Sequence, residues 1–203
     1  MTSRRIGLFG GTFNPIHIGH LRLAEDVRER FDLREILFIP VNIPPHKRID
    51  DTAGPEHRLR MVRAALRGND GFLCDDVEIR RGGESYTIDT VRSVYSRYRF
   101  EGRPSLIIGS DLLRELHTWR NIEELCTLVH FIVMRRYPQS SGESIPADIP
   151  GLSWETFSGR RIDITSSEIR ERLRSGGSVR YLVPDGVYDY IIRNKLYGPA
   201  HEP

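Results

Sequence analysis

The sequence predicts an α/β fold: an open, mostly parallel sheet with helices on both faces and a small helical segment toward the C-terminal end. Short apolar runs stopped by glycine or proline alternate with segments whose apolar residues recur every three or four positions. The 203 residues suit one domain. No internal repeat and no linker divides them, so 1–203 reads as a single domain with a helical subregion at about 165–197. In such sheets ligands bind beyond the carboxyl ends of the strands, near the point where strand order reverses. The loops after Phe9, Val41 and Gly109 are therefore where chemistry is expected.

The elements follow in order. Arg5–Phe9 is a short apolar run cut off by Gly10-Gly11. Leu21, Ala24, Val27 and Phe31 then recur at helical spacing. Glu35–Val41 reads as a buried strand stopped by Pro44-Pro45. Leu59, Val62, Ala65 and Leu66 mark a second helix, ended by Gly68. Phe72–Ile79 reads as strand, and Ile88, Val91, Val94 and Tyr98 mark a third helix. Ser105–Gly109 is a strand that runs into another apolar-periodic segment, and His130–Arg135 is a further strand. Tyr137–Ser153, rich in Pro, Ser and Gly, reads as an exposed loop. Trp154–Ile164 holds one or two short strands, and helices at Ser166–Arg174 and Val187–Tyr197 close the pattern.

Composition excludes several classes. Hydrophobic residues make up 38%, enough for a buried core and too much for a disordered chain. The 30 basic residues against 28 acidic ones leave +2, so no global field draws in nucleic acid or an anionic membrane. Apart from Lys47 and Lys195, all 28 basic residues are arginines, most of them interleaved with carboxylates as solvated faces. Cys74 and Cys126 share no metal-type spacing and suggest no disulfide framework, which implies a reducing, cytoplasmic setting. No apolar run approaches the roughly 20 residues of a membrane span. A homo-oligomer is compatible with the sequence.

The richest segment, Gly7-Leu-Phe-Gly-Gly-Thr-Phe-Asn-Pro-Ile-His-Ile-Gly-His20, joins the first strand to the first helix. Gly10 and Gly11 let backbone pass close to a bulky anion, Thr12 offers a hydroxyl and an N–H, and the following helix points its positive end at the loop. His17 and His20, three residues apart, fall on one side of the helix entrance. They read as metal ligands, though no third ligand lies near, as ordinary histidines, or as donors to phosphate oxygens in a transition state. Asp163-Ile-Thr-Ser-Ser-Glu-Ile-Arg170 opens the penultimate helix. Its hydroxyls serve a capping box with Glu168 or, with Arg170 one turn on, a bidentate anion grip.

Three further segments fall at ligand-facing edges. Pro44-Pro-His-Lys47 follows the second strand and brings a rare lysine to meet a phosphate or solvent. Ser85-Tyr-Thr-Ile-Asp-Thr90 opens the third helix with hydroxyls and N–H groups suited to a carboxylate or to capping. Gly109-Ser-Asp111 ends the central strand, and the indole in His117-Thr-Trp119 either stacks a flat ring or joins the core.

The sequence from Gly10 to His20 resembles the HxGH nucleotidyltransferase signature on a Rossmann-like sheet, and literally spells HIGH. Class I aminoacyl-tRNA synthetases share it, but they are far longer and carry a lysine-rich loop absent here. PPHK, SYTIDT, GSD, HTW and the Thr-Ser-Ser-Glu-Ile-Arg segment, with Thr165 for the first serine, resemble the bacterial nicotinate mononucleotide adenylyltransferases from about Gly7 to Tyr197. Asn14 stands where that family commonly has Asp. The resemblance implies adenylyl transfer from ATP to nicotinate mononucleotide, giving deamido-NAD and pyrophosphate.

On that basis His17, His20 and Arg170 are the expected catalytic residues. Gly10, Gly11, Thr12, Phe13, His20, Gly109, Asp111, Thr165, Ser166, Ser167 and Arg170 are expected at ATP. Lys47, Thr87, Trp119 and Arg120 are expected at nicotinate mononucleotide. Mg²⁺ is expected as cofactor, held mainly through ATP phosphates and not by a protein metal site. The rival readings are phosphopantetheine adenylyltransferase, which shares the glycine loop, and a non-catalytic nucleotide sensor on the same fold.

Overall fold

The computed structural model describes residues 5–45, 53–135, 149–160 and 162–198. Six strands form one sheet: β1 (Ile6–Gly11), β2 (Glu35–Pro40), β3 (Phe72–Cys74), β4 (Ser105–Gly109), β5 (His130–Met134) and β6 (Trp154–Phe157). They lie in the order β3-β2-β1-β4-β5-β6. Each neighbouring pair runs parallel, so the sheet expected to be mostly parallel is parallel throughout its described strands. The chain works outward from β1 to β3, then crosses back to lay β4 on the other side of β1. Strand order therefore reverses between β1 and β4, and beyond Gly11 and Gly109 is where sheets of this kind receive ligands.

The helices are α1 (Ile18–Arg30), α2 (Pro55–Ala65), α3 (Val77–Arg81), α4 (Thr87–Arg97), α5 (Ile122–Leu128), α6 (Ser166–Arg174) and α7 (Asp185–Arg193), with a 3₁₀ helix at Ser110–Thr118. Because strand side chains alternate between faces, the apolar runs feed two cores. Phe9, Ile36, Phe38 and Ile107 pack with Val27 of α1, Val62 of α2, Ile169 of α6 and Val187 of α7. Leu8, Leu37, Ile108 and Val133 pack on the opposite face with Val91 of α4 and Leu125 of α5. Both faces are covered, which is why the strands read as continuous apolar runs. Gly7 lets the core close tightly on β1: a Cβ there would lie 2.7 Å from Ile36 Cδ1 and 3.0 Å from Leu33 Cδ1.

Two expectations change. Phe72–Ile79 is not one strand, because β3 ends at Cys74 and α3 begins at Val77. The buried carboxylate of Asp75 accepts the Val77 N–H at 2.9 Å, the Arg97 guanidinium at 2.5 Å and the Tyr98 hydroxyl at 2.8 Å, which turns the backbone out of the sheet. Trp154–Ile164, expected to hold one or two short strands, holds one among its described residues, β6. The last helix lies earlier than Val187–Tyr197, since Lys195 and Tyr197 adopt φ of 52° and 60° and cannot continue it. Lys47 and most of the 137–153 loop fall outside the described residues. No helix among the described residues is long and apolar enough to cross a membrane.

The C-terminal helix is fixed to α2. Gly186 brings α7 so close that a Cβ would lie 3.4 Å from the Ala64 carbonyl oxygen. His57 Nδ1 and the Tyr190 hydroxyl hydrogen-bond across the same contact at 2.9 Å. Both cysteines are free, and burial pushes the Cys74 thiol up to about 12, so it stays protonated and inert at neutral pH.

Candidate active site

The two glycines that end β1 do different work. A Cβ on Gly11 would lie 2.9 Å from the Phe13 ring, whereas one on Gly10 would meet nothing within 4 Å. Gly11 thus makes room for an aromatic plug, and Gly10 leaves the outer surface of the loop open. Phe13 sits at φ 48° and turns its ring into the core beside Phe9 and Phe38. Only its main chain remains to serve a ligand.

The turn delivers His17 to the N-cap of α1. His17 is buried and His20 half-buried, and their rings lie 3.7 Å apart, inclined by 34°. The His17 main-chain N–H donates to His20 Nδ1 at 3.3 Å. That bond makes Nδ1 an acceptor, so the neutral imidazole carries its proton on Nε2 and presents a donor there. The Phe13 ring meets His20 edge-on at 5.3 Å between centroids. Gly19 gives the histidines room, since a Cβ there would lie 3.0 Å from His17 Nδ1 and press on that ring.

The second anion segment comes to the same loop. Thr165 caps α6, its hydroxyl oxygen accepting the Glu168 N–H at 3.1 Å. Ser166 Oγ donates to the Pro15 carbonyl at 2.9 Å. Arg170 Nη1 donates to the Asn14 carbonyl at 3.0 Å, and Nη2 to Ser167 Oγ at 3.4 Å. Residues 151 and 156 positions apart in the chain are thereby joined. Two helix N-termini, α1 and α6, meet at Asn14-Pro15, and each directs its positive end and main-chain N–H groups at one region.

Behind the loop lies a polar layer. Arg58 of α2 is 2% exposed. Its Nε donates to Ala53 O at 3.1 Å, Nη1 to Thr12 O at 2.9 Å and Val41 O at 2.5 Å, and Nη2 to Asn42 O at 2.9 Å. Burial pulls its pKa down, partly offset by Tyr197 and Glu78, and arginine remains charged throughout. Asn14 Oδ1 accepts the Ala53 N–H at 3.1 Å and the Tyr197 hydroxyl at 2.7 Å. Burial raises the Tyr197 phenol, keeping it in the protonated form that this donation requires.

At a third helix start, Thr87 is the first residue of α4, whose N-cap, Tyr86, supplies no side-chain cap. Arg120 lies over the Tyr86 ring at 4.8 Å and 3.6 Å from Asp89, so it stands beside that helix entrance. Trp119 is half-buried against the α4–α5 core. Gly109 ends β4, and Asp111 is exposed in the first turn of the 3₁₀ helix. Asn42 ties this side to β2: its N–H donates to Ser85 Oγ at 3.0 Å and its Nδ2 to Gly83 O at 2.8 Å. A separate surface cavity of about 380 Å³, lined by Asp26, Arg30, Phe157 and Arg160 among others, contains none of these residues.

Residues 8–172 match the Cytidylyltransferase-like family model. The chain is 38% identical to the probable nicotinate-nucleotide adenylyltransferase of Geotalea uraniireducens, over 97% of this chain and 99% of that protein. It is 42% identical to the one named alike from Opitutus terrae, at 97% and 99% coverage. The chain belongs to the nicotinate-nucleotide adenylyltransferase family. Among solved structures, a Plasmodium falciparum nicotinic acid mononucleotide adenylyltransferase complexed with NaAD superposes with a TM-score of 0.74 at 21% identity, covering 96% and 97% of the two chains. That likeness confirms the Rossmann-like α/β fold.

In this adenylyltransferase-family chain the structure brings together the glycine loop, both histidines, the Thr165–Ser167 turn and Arg170. Thr87, Trp119 and Arg120 form a second group on the α4 side. Lys47 lies outside the described residues. The side chains of Phe13, Thr165 and Ser166 are engaged in the core, a helix cap and a main-chain tether. What they retain for a nucleotide is main chain and, for the hydroxyls, remaining lone pairs.

Sequence reading missed three polar residues: Arg58, Glu78 and Tyr197. Glu78 is buried beneath α4 and accepts the Thr90 hydroxyl at 2.6 Å. Burial raises its pKa above the ordinary carboxylate value of 4.5. The folded state therefore binds this proton more tightly than the unfolded chain, so Glu78 removes stability as pH rises through the window beginning near 4.5. Glu78→Gln is expected to flatten the fall in Tm between acidic and mildly alkaline buffer. Parallel melting curves for the two proteins would contradict this.

Proposed function

We propose that this chain transfers the adenylyl group of ATP to nicotinate mononucleotide, releasing pyrophosphate and nicotinate adenine dinucleotide. The observation that carries the reading is Arg170 of α6 reaching the Asn14 carbonyl of the glycine loop. That contact joins two anion-binding helix starts in a chain matched almost end to end by adenylyltransferases of that name.

The nucleotide phosphate oxygen attacks the α-phosphorus in line. A bond from that oxygen to phosphorus forms, and the bond from phosphorus to the pyrophosphate oxygen breaks, carrying its electron pair away. The nucleophile is already anionic, so positioning and charge stabilisation suffice without a general base. His20 Nε2–H and His17 serve the crowded α-phosphate, and Ser166, Ser167 and Arg170 the departing pyrophosphate. Gly10, Gly11, Thr12 and Phe13 offer main-chain groups to ATP, with Thr165, Gly109 and Asp111 completing its surroundings. Thr87 and Arg120 receive the nicotinate carboxylate, Trp119 stacks on its ring, and Lys47 meets the mononucleotide phosphate.

Among the described residues no three His, Cys, Asp or Glu side chains converge as a metal cage. Mg²⁺ held mainly through the ATP phosphates is the cofactor this reading calls for, and when bound it would supply neutralisation of phosphate charge. A reducing cytoplasmic setting suits the free thiols, and no nucleic acid is required as partner.

The test is pyrophosphate release from Mg-ATP with nicotinate mononucleotide, nicotinamide mononucleotide or phosphopantetheine as acceptor. The acid is expected to exceed phosphopantetheine by about 10⁴-fold in kcat/KM, as for a site built around a substrate's polar groups. Release with phosphopantetheine alone would replace the acceptor, and ATP binding without release would make the chain a sensor.

A further inference from the structure

One buried guanidinium touches both halves of the site. Through Thr12 O it holds the glycine loop, and through Val41 O and Asn42 O it holds the segment leaving β2. Through Ala53 O it holds the chain that enters α2. Each acceptor is a main-chain carbonyl, and none of these four bonds goes to a carboxylate. A carboxylate would fix one side chain, whereas four carbonyls from three segments fix the relative position of backbones. Arginine suits this, since its planar fork presents five N–H donors in fixed directions.

The contacts continue outward on both sides. Asn42 N–H donates to Ser85 Oγ and the Ser85 N–H to Ile43 O at 2.8 Å, which carries the β2 segment to the start of α4. The Ala53 N–H donates to Asn14 Oδ1, and Asn14 O accepts from Arg170. A continuous chain of hydrogen bonds thus runs from α6 through the glycine loop and Arg58 to the helix entrance beside Arg120. Strand pairing aligns these loops only as far as Val41, whose N–H donates to Gly11 O at 3.0 Å. Beyond that point Arg58 takes over.

We propose that Arg58 is a positioning residue that registers the ATP-holding loop against the acceptor-holding loop, setting the distance between the attacking phosphate and the α-phosphorus. The inference rests on the adenylyl-transfer reading and assigns a residue that touches neither substrate. In-line displacement requires reacting atoms at about 3–3.5 Å, and a shift of about 1 Å costs on the order of 10²-fold in rate.

Arg58→Lys keeps the charge and loses the fork. Binding of a non-hydrolysable ATP analogue and of nicotinate mononucleotide is measured separately by calorimetry, and kcat is expressed per analogue-binding site. Both Kd values are expected within about threefold of wild type while kcat per site falls about 10²-fold. A purely structural role predicts fewer sites at unchanged kcat per site, and that result overturns the proposal. If Arg58→Lys does not fold, Arg58→Gln keeps two N–H donors near the same carbonyls without the fork or the charge. It is expected to lower kcat per site about 10²-fold with both Kd values retained, and unchanged kcat per site again overturns the proposal. Wild-type protein is the control for the underlying reaction: no pyrophosphate with nicotinate mononucleotide removes the proposed function. Wild-type turnover beside an unaffected variant removes only the registration.

Discussion

His20→Ala is expected to lower kcat for pyrophosphate release by about 10²–10³-fold, the loss measured when one preorganised donor is taken from a developing negative charge. The tautomer is the reason for so large an effect. The His17 N–H occupies Nδ1 at 3.3 Å, so the Nε2–H donor is set before substrate arrives. The ring cannot turn away without giving up that bond and its contacts with His17 and Phe13. Removing the imidazole also costs α1 a cap-like interaction, worth about 0.5–2 kcal/mol, so a modest fall in Tm should accompany the loss. Turnover within a few-fold of wild type, in protein that melts cooperatively, would contradict the role given to His20.

Arg170→Ala is expected to lower kcat/KM for ATP by about 10³-fold, in the range of a lost charge clamp on a transferring phosphoryl group. Two contributions combine. The guanidinium would meet the charge that builds on the departing pyrophosphate, and it also ties α6 to the Asn14 carbonyl at 3.0 Å. Arg170→Lys separates them, because an ammonium keeps the charge without the fork. Partial recovery in the lysine variant is the expected result. Recovery to wild-type rates would assign the whole effect to charge, and equal losses in both variants would assign it to geometry. An alanine variant as active as wild type would remove Arg170 from the machinery.

The sheet was legible because its strands are covered on both faces and so appear as unbroken apolar runs, as in Glu35–Pro40. The helix at Ser166–Arg174 was legible because a hydroxyl cap precedes an acidic first turn. Phe72–Ile79 misled because its apolar content is shared by two elements, and Asp75 between them is held in part by Arg97 and Tyr98 at the far end of a later helix. Within the candidate site, the residues gathered at the two helix starts were legible because glycines, hydroxyls and histidines stand there at close spacing in the chain. The layer behind them was not. Arg58 sits in a helix among other arginines and reads as solvated, since sequence does not reveal that three loops aim carbonyls at it. Glu78 and Tyr197 were hidden likewise, as each finds its partner only in the folded chain.

The hydrogen bond from Tyr197 to Asn14 spans 183 positions, and that separation has a meaning in time. A chain made from its N-terminus and folding as it emerges presents the glycine loop well before the phenol that braces it. α7, seated on α2, leads the chain to Tyr197. The glycine loop therefore leaves the ribosome 183 residues ahead of the phenol that braces it, and its cradle is finished only once that whole stretch has been synthesised.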